Sequence, residues 1–229
     1  MSRFIDKRSI LGVLFIVGSL LCGLTGLCVN SVQAIKVSRL SPVSASALAG
    51  GAVEVGSEVL VEGYIGEENE VVYPQGEFVA YLYERRRISV NDDGQPKPER
   101  WRKWEQVTPP LLLDLADGKV QVENDDYAIE NLRVVEGPEM RVAGSQSHIK
   151  YSVTRYEGIA VGDPVIAVGT LRAGGEVPRI EAEFVARGTR EEYIAGHRAG
   201  GIASCVGSAI VGVVGGFILL WDRIRSVWG

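Results

Sequence analysis

The chain has 229 residues, 24 Lys and Arg against 29 Asp and Glu, and a formal net charge of −5. An apolar content of 46% is enough to bury a core, which excludes a disordered chain. The acidic balance excludes an electrostatic nucleic-acid binder, because phosphate is repelled. Mean hydropathy is +0.09, high for a water-soluble protein, and the apolar residues collect at the two ends. There is no charged residue from Ser9 to Ile35 or from Ala199 to Trp221, whereas the stretch between holds 19 basic and 27 acidic residues. A simple soluble enzyme is not built this way.

Residues 1–9 form a basic N-terminus carrying Arg3, Lys7 and Arg8. The segment Ile10 to Val29 follows. At about 1.5 Å per residue it reaches about 30 Å, the thickness of a bilayer's hydrocarbon core, so a first transmembrane helix is expected over 10–29. A cleaved signal peptide is the competing reading, with Val32-Gln33-Ala34 as its small-residue cleavage site. Its apolar region would be longer than usual for such a signal. Cys22 and Cys28 each follow a leucine, so there is no lipobox.

Residues 30–52 read as a small, polar linker, with a short helix ending at Gly50-Gly51. From 53 to 188 the pattern is β. Glu58 to Ile65 alternates, and Phe78 to Ile88 is a long β-rich run. Asn91-Asp92-Asp93-Gly94 with Pro96 and Pro98 makes a loop, and Trp101 to Val107 returns as the hairpin partner. Leu111 to Leu115 and Val120 to Val122 flank the turn dipeptide Asp117-Gly118. Ile149 to Tyr156, Val165 to Leu171 and Ile180 to Val185 complete seven to nine expected strands, with Gly174-Gly175 as a turn.

Two of these segments are alike. Val55 to Ile65 aligns with Val161 to Leu171 at a constant offset of 106, matching Val, Gly, Val and Gly. Each copy carries a turn glycine, an alternating strand and a second glycine where the strand bends or bulges. The expected fold is therefore mainly β: a small curled sheet or barrel, of the OB-like kind, between two transmembrane α-helices.

Thr189 with Glu192 has the capping-box spacing, so a short helix is expected over 189–198. It leads into a second transmembrane helix, 199–221, and a tail, 222–229, that carries Arg223 and Arg225. Basic residues flank both outer ends. The positive-inside rule then puts both termini in the cytoplasm and the β domain on the extracytoplasmic side of a two-pass membrane protein. Ser204, Ser208, Gly212 and Gly216 recur every four residues, a stripe on which a second helix can pack closely. Gly18, Cys22 and Gly26 repeat the spacing in the first segment.

The chemistry-bearing residues are sparse. Cys22, Cys28 and Cys205 all lie in the apolar segments, so the β region has no disulfide, thiol nucleophile or zinc–thiolate site. His148 and His197 sit apart without ligand spacing, and no nucleophile elbow accompanies them. Asp114, Asp117, Asp125 and Asp126 lack the spacing of a calcium loop and read as acidic turn residues. No catalytic residue, metal or cofactor is expected. The exception to this sparseness is basic. Arg85, Arg86, Arg87, Arg100, Arg102 and Lys103 are interleaved with Trp101 and Trp104 on a hairpin. Arg85, Arg87, Trp101 and Trp104 are the candidate contact residues, because guanidinium and indole together suit a bilayer surface. The competing reading is ordinary cross-strand pairing with Glu84, Glu99 and Glu105.

Taken in order, several motifs resemble a known family. They are Val59-Leu60-Val61-Glu62-Gly63, Phe78 to Arg87, Trp101 and Trp104, Pro109 to Asp114 with Asp117-Gly118-Lys119-Val120, and Arg155 to Gly162 running on to Leu171. Set between two apolar helices, they resemble the GIDE, or "beside a membrane", domain of mulan-type mitochondrial E3 ubiquitin ligases and their prokaryotic relatives. The resemblance covers residues 42–225. It implies a domain outside the cytosol with cytosolic termini. In that family ligase activity resides in a RING finger after the second helix. The residues after Trp221 contain no Cys or His, so the expectation is the membrane- or partner-binding half without ubiquitin transfer. The functional expectation is a non-enzymatic, two-span membrane protein whose β domain binds membrane lipids or an unknown membrane or extracytoplasmic protein. A second copy of the chain is among the candidate partners, and nucleic acid is not. The alternative is a ligase-family component that works only with a separate catalytic subunit.

Overall fold

The computed structural model describes residues 32–73, 75, 77–90, 93, 95–137, 140–142, 150–200, 210, 211, 213 and 214. The chain divides into two compact units, Leu40–Arg190, and Met1–Arg39 with Glu191–Gly229. The first unit is the β domain. It opens on a five-residue helix, α1 (Ala45–Ala49). Then come β1 (Glu58–Ile65), β2 (Phe78–Val90), β3 (Pro96–Pro98), β4 (Arg102–Val107), β5 (Leu111–Leu115) and β6 (Gly118–Val122). The remaining strands are β7 (Ala128–Glu130), β8 (Arg133–Glu136), β9 (Met140–Val142), β10 (Lys150–Ala160), β11 (Pro164–Ala173) and β12 (Arg179–Arg187).

Five strands close into a barrel in the order β11-β1-β5-β6-β12, sealed by β11 pairing with β12. All its contacts are antiparallel except β6 with β12, which is parallel. The repeat seen in the sequence lies at the centre of this barrel. β1 and β11 pair antiparallel with Val61 opposite Ala167, Val59 opposite Gly169 and Gly63 opposite Val165. The two copies are thus related by a local two-fold axis through Val61 and Ala167. Hydrogen bonds obey it. Gly56 N donates to Leu171 O at 2.8 Å and Gly162 N to Ile65 O at 2.9 Å. Leu171 N donates to Ser57 O and Ile65 N to Asp163 O, both at 3.0 Å. Inward-facing Val59, Val61 and Ile65 match Val165, Ala167 and Leu171 in one buried core, which Leu111, Leu113, Val120, Val122, Ile180 and Val185 complete.

The later part of the stretch read as linker belongs to this core. Ala45 and Leu48 of α1 are buried in it, and Val43 N donates to Leu60 O at 2.8 Å. Short alanine- and serine-rich segments look like spacers in sequence, but one leucine at the right place is enough to seat a helix on a barrel. Residues 32–39, also inside the expected linker, are helical.

The second sheet grows from the two long connections of the barrel, β1 to β5 and β6 to β11. Its centre is the antiparallel pair β2–β10. β3 and β4 follow one another along the outer edge of β2, and β8 and β9 do the same along β10. The twelve strands among the described residues exceed the seven to nine expected because β3, β7, β8 and β9 are short edge pieces of three or four residues. Pro96 and Pro98 fit only such an edge, where a missing N–H breaks no central ladder.

In the second unit, residues 191–200 are helical. Tyr193 is buried, donates its hydroxyl to Gln33 Oε1 at 3.1 Å, and lies 4.2 Å from the His197 ring. No helix among the described residues is long and apolar enough to cross a membrane. The expected first span, residues 10–29 with Gly18, Cys22 and Gly26, lies outside the described residues, as do Cys28, His148, Cys205 and the stripe Ser204, Ser208, Gly212 and Gly216. Of the expected second span, residues 199, 200, 210, 211, 213 and 214 are described, and all are helical.

Candidate functional site

The basic residues sit where the β2 hairpin arm is interrupted. β4 pairs with Tyr81–Arg85 and β3 with Ile88–Val90, and between them residues 99–101 leave the ladder. Glu99 N keeps one contact, donating to Arg87 O at 2.9 Å. A bulge falls between Tyr83 and Glu84, which pair with Glu105 and Lys103. Trp104 is the extra residue. A bulge re-aims the side chain it carries, and Trp104 is 65% exposed.

Side chains alternate along a strand, so Arg85 and Arg87 share one face of β2 and Glu84 and Arg86 the other. On the first face Arg85, Arg87, Glu99, Arg100, Arg102 and Trp104 line a hollow of about 50 Å³. The Arg85 guanidinium lies 5.9 Å from the Trp104 ring centre, within cation–π range. Arg85 stands directly opposite Arg102 in the ladder. Like charges so placed repel and weaken the sheet. Relief is partial: Glu99 reaches Arg102 at 3.9 Å on an exposed surface, where ion pairs are weak. Arg85 Nε is shielded from solvent and has no hydrogen-bond partner among the described residues.

The same face continues into tyrosines. Tyr156 stacks on Tyr83 at 4.9 Å and on Tyr73 at 3.9 Å, and meets Tyr81 edge-on at 5.8 Å. Desolvation lifts Tyr73, Tyr81 and Tyr156 above the ordinary phenol value, so all three stay neutral in the physiological range.

Trp101 belongs to the other face. Two guanidiniums lie within cation–π range of its ring, Arg86 at 4.6 Å and Arg155 at 4.4 Å. Arg155 in turn bridges two carboxylates, donating from Nε to Glu84 Oε2 at 2.7 Å and lying 3.0 Å from Glu157 Oε1. The structure therefore brings Arg85, Arg87 and Trp104 together and sets Trp101 in a separate cluster, in which Arg155 is paired with carboxylates and Arg86 Nε has no hydrogen-bond partner among the described residues. Arg100 and Arg102 join the hollow, as their place in the basic run foretold. Arg155 was missed as a partner of Trp101, since only the β2–β10 register places it there.

The acidic turn residues have structural tasks. Asp117 accepts from Ala45 N at 2.9 Å and Ser46 N at 3.0 Å, and from the Ser46 hydroxyl. The Ser46 hydroxyl and amide, with the Ala45 amide, pull its carboxyl down to about 2. Asp114 lies 3.5 Å from Lys119 Nζ. No group of three or more His, Cys, Asp or Glu is placed to hold a metal among the described residues.

No family model, curated protein or solved structure matches the chain.

Proposed function

We propose that this chain is a membrane-anchored binding module, whose OB-like barrel carries a second sheet that engages an anionic bilayer surface. The observation that carries the reading is the hollow, in which four guanidiniums and one carboxylate surround an exposed indole. The protein as a whole is acidic, so this is a local reversal of charge rather than general basicity. Arginine and tryptophan side by side are what the headgroup layer selects, one for phosphate and one for the interface. Anchoring is supported by Ile210, Val211, Val213 and Val214, helical residues that are all exposed to their surroundings. Large apolar side chains exposed at four of five successive helical positions suit hydrocarbon rather than water. The barrel's strand order, with its single parallel contact, supports the OB-like assignment.

The test is hydrogen–deuterium exchange of the full chain in nanodiscs of phosphatidylcholine, with or without phosphatidylglycerol. Slower exchange over residues 96–107 with the anionic lipid, lost at high salt, is the expected result. Identical exchange with and without anionic lipid, phosphatidate included, overturns the reading.

A further inference from the structure

The hollow has a shape and donor set more specific than a basic patch requires. Arg85 and Arg102 face each other across the ladder, Arg87 lies two residues along the same face, and Arg100 enters from the interruption between β3 and β4. Each guanidinium offers donors in a planar fork that matches phosphate oxygens. Two features remain unresolved within the chain itself. One is the Arg85–Arg102 opposition. The other is the shielded Arg85 Nε, a donor without an acceptor among the described residues. An anion seated between the guanidiniums answers the first.

We infer that the hollow is a receptor for a phosphomonoester headgroup on a lipid, and distinguishes it from phosphodiester lipids of the same bilayer. The inference rests on the surface-binding reading above. A phosphomonoester presents three terminal oxygens and close to two negative charges near neutral pH. A phosphodiester presents two terminal oxygens and one charge. The monoester supplies one more terminal acceptor and nearly one more charge to the surrounding forks, and nearby cations favour its second ionisation. Trp104 argues for a lipid as the carrier: a large indole, mostly exposed beside the guanidiniums, finds its medium at the glycerol and headgroup level of a bilayer.

The experiment uses the full chain in nanodiscs of phosphatidylcholine doped either with phosphatidate or with phosphatidylglycerol, at mole fractions matched in total charge. Exchange over residues 96–107 is read in each. Phosphatidate is expected to slow exchange at roughly tenfold lower lipid fraction than phosphatidylglycerol. Arg85→Lys and Arg102→Lys keep the charge and remove the fork, so each is expected to bring phosphatidate down to the phosphatidylglycerol level. Unchanged exchange in β1 and β11 shows that these variants are folded. Equal protection by the two lipids overturns the phosphomonoester inference and leaves the surface reading standing. No protection by either overturns both. Inorganic phosphate added to undoped nanodiscs is the last arm, and protection by it at the same concentration of phosphate groups overturns the assignment to a lipid.

Discussion

A β-carbon on Gly169 would lie 2.2 Å from Glu181 O and 2.7 Å from Ala182 Cα, all backbone. Its counterpart by the two-fold, Gly63, would put one 2.5 Å from Asp114 O. Gly63 approaches the backbone of β5, and Gly169 that of β12, where a bulge interrupts the β11–β12 register. Backbone cannot step aside as a side-chain tip can, so Gly169→Ala is expected to destabilise by about 1–3 kcal/mol or more, and Gly63→Ala similarly. Denaturant midpoints of the detergent-solubilised chain measure it, and an unchanged midpoint contradicts the packing described. These positions were legible in sequence because turn glycine, alternating strand and second glycine recur at one spacing; Gly56 and Gly162 have φ of +93° and +76°. The tryptophans were legible only as a pair. Their separation comes from a bulge that no residue preference announces. Trp101→Ala removes a ring held by two guanidiniums and is expected to cost at least about 1 kcal/mol. Trp104→Ala removes an exposed ring and is expected to stay within about 0.5 kcal/mol of wild type, while weakening lipid protection. The reverse ranking in a thermal melt would refute this division of labour.

At the scale of elements, α1 is too short to persist alone and owes its place to two contacts. Leu48 fills the core from one side. Asp117, in the β5–β6 turn, receives the first amides of the helix from more than seventy residues away in sequence. The turn itself could be read from Asp117-Gly118, but its capping task could not, since capping signals are sought within a few residues of a helix. The same is true of Asn124. Its side chain exchanges two hydrogen bonds with the backbone of Ala182, at 2.8 and 2.9 Å, filling the gap between β6 and β7 along β12. Leu48→Ala is expected to cost about 2–5 kcal/mol if α1 is core rather than spacer. For Asp117 the sign follows from its carboxyl lying below the ordinary value. The contribution is present above the unfolded value of about 4 and is lost as pH falls toward about 2. Wild type should therefore lose stability between pH 4 and pH 2 more steeply than Asp117→Asn, and superimposable pH profiles would show that the carboxylate does not hold the helix.

At the scale of the whole molecule, a barrel closed on itself exposes no long strand edge, and the edges of the second sheet are short and charged or proline-bearing. The alternating pattern of the strands was readable residue by residue. The sheet built from two insertions was not, because β2 and β10 are separated by sixty residues and meet only once the barrel has brought their connections together. The membrane reading came from composition, and Ile210, near the middle of Ala199–Trp221 and 60% exposed, gives it a direct test. An arginine at the centre of a spanning helix costs roughly 2.5–3.5 kcal/mol on insertion scales. A segment rich in glycine and serine has little hydrophobicity in reserve, so Ile210→Arg is expected to leave the second span uninserted in a large share of molecules. On the two-span reading proposed above, the first span would still hold the chain in the membrane, so total membrane association is the wrong readout. The right one is sidedness. A C-terminal tag should share a compartment with an N-terminal tag in wild type and move to the compartment of the β domain in Ile210→Arg, as read by protease protection. Tags that stay together in both proteins would mean that this helix does not cross hydrocarbon at Ile210, and tags on opposite sides in wild type would mean that the chain crosses the bilayer an odd number of times.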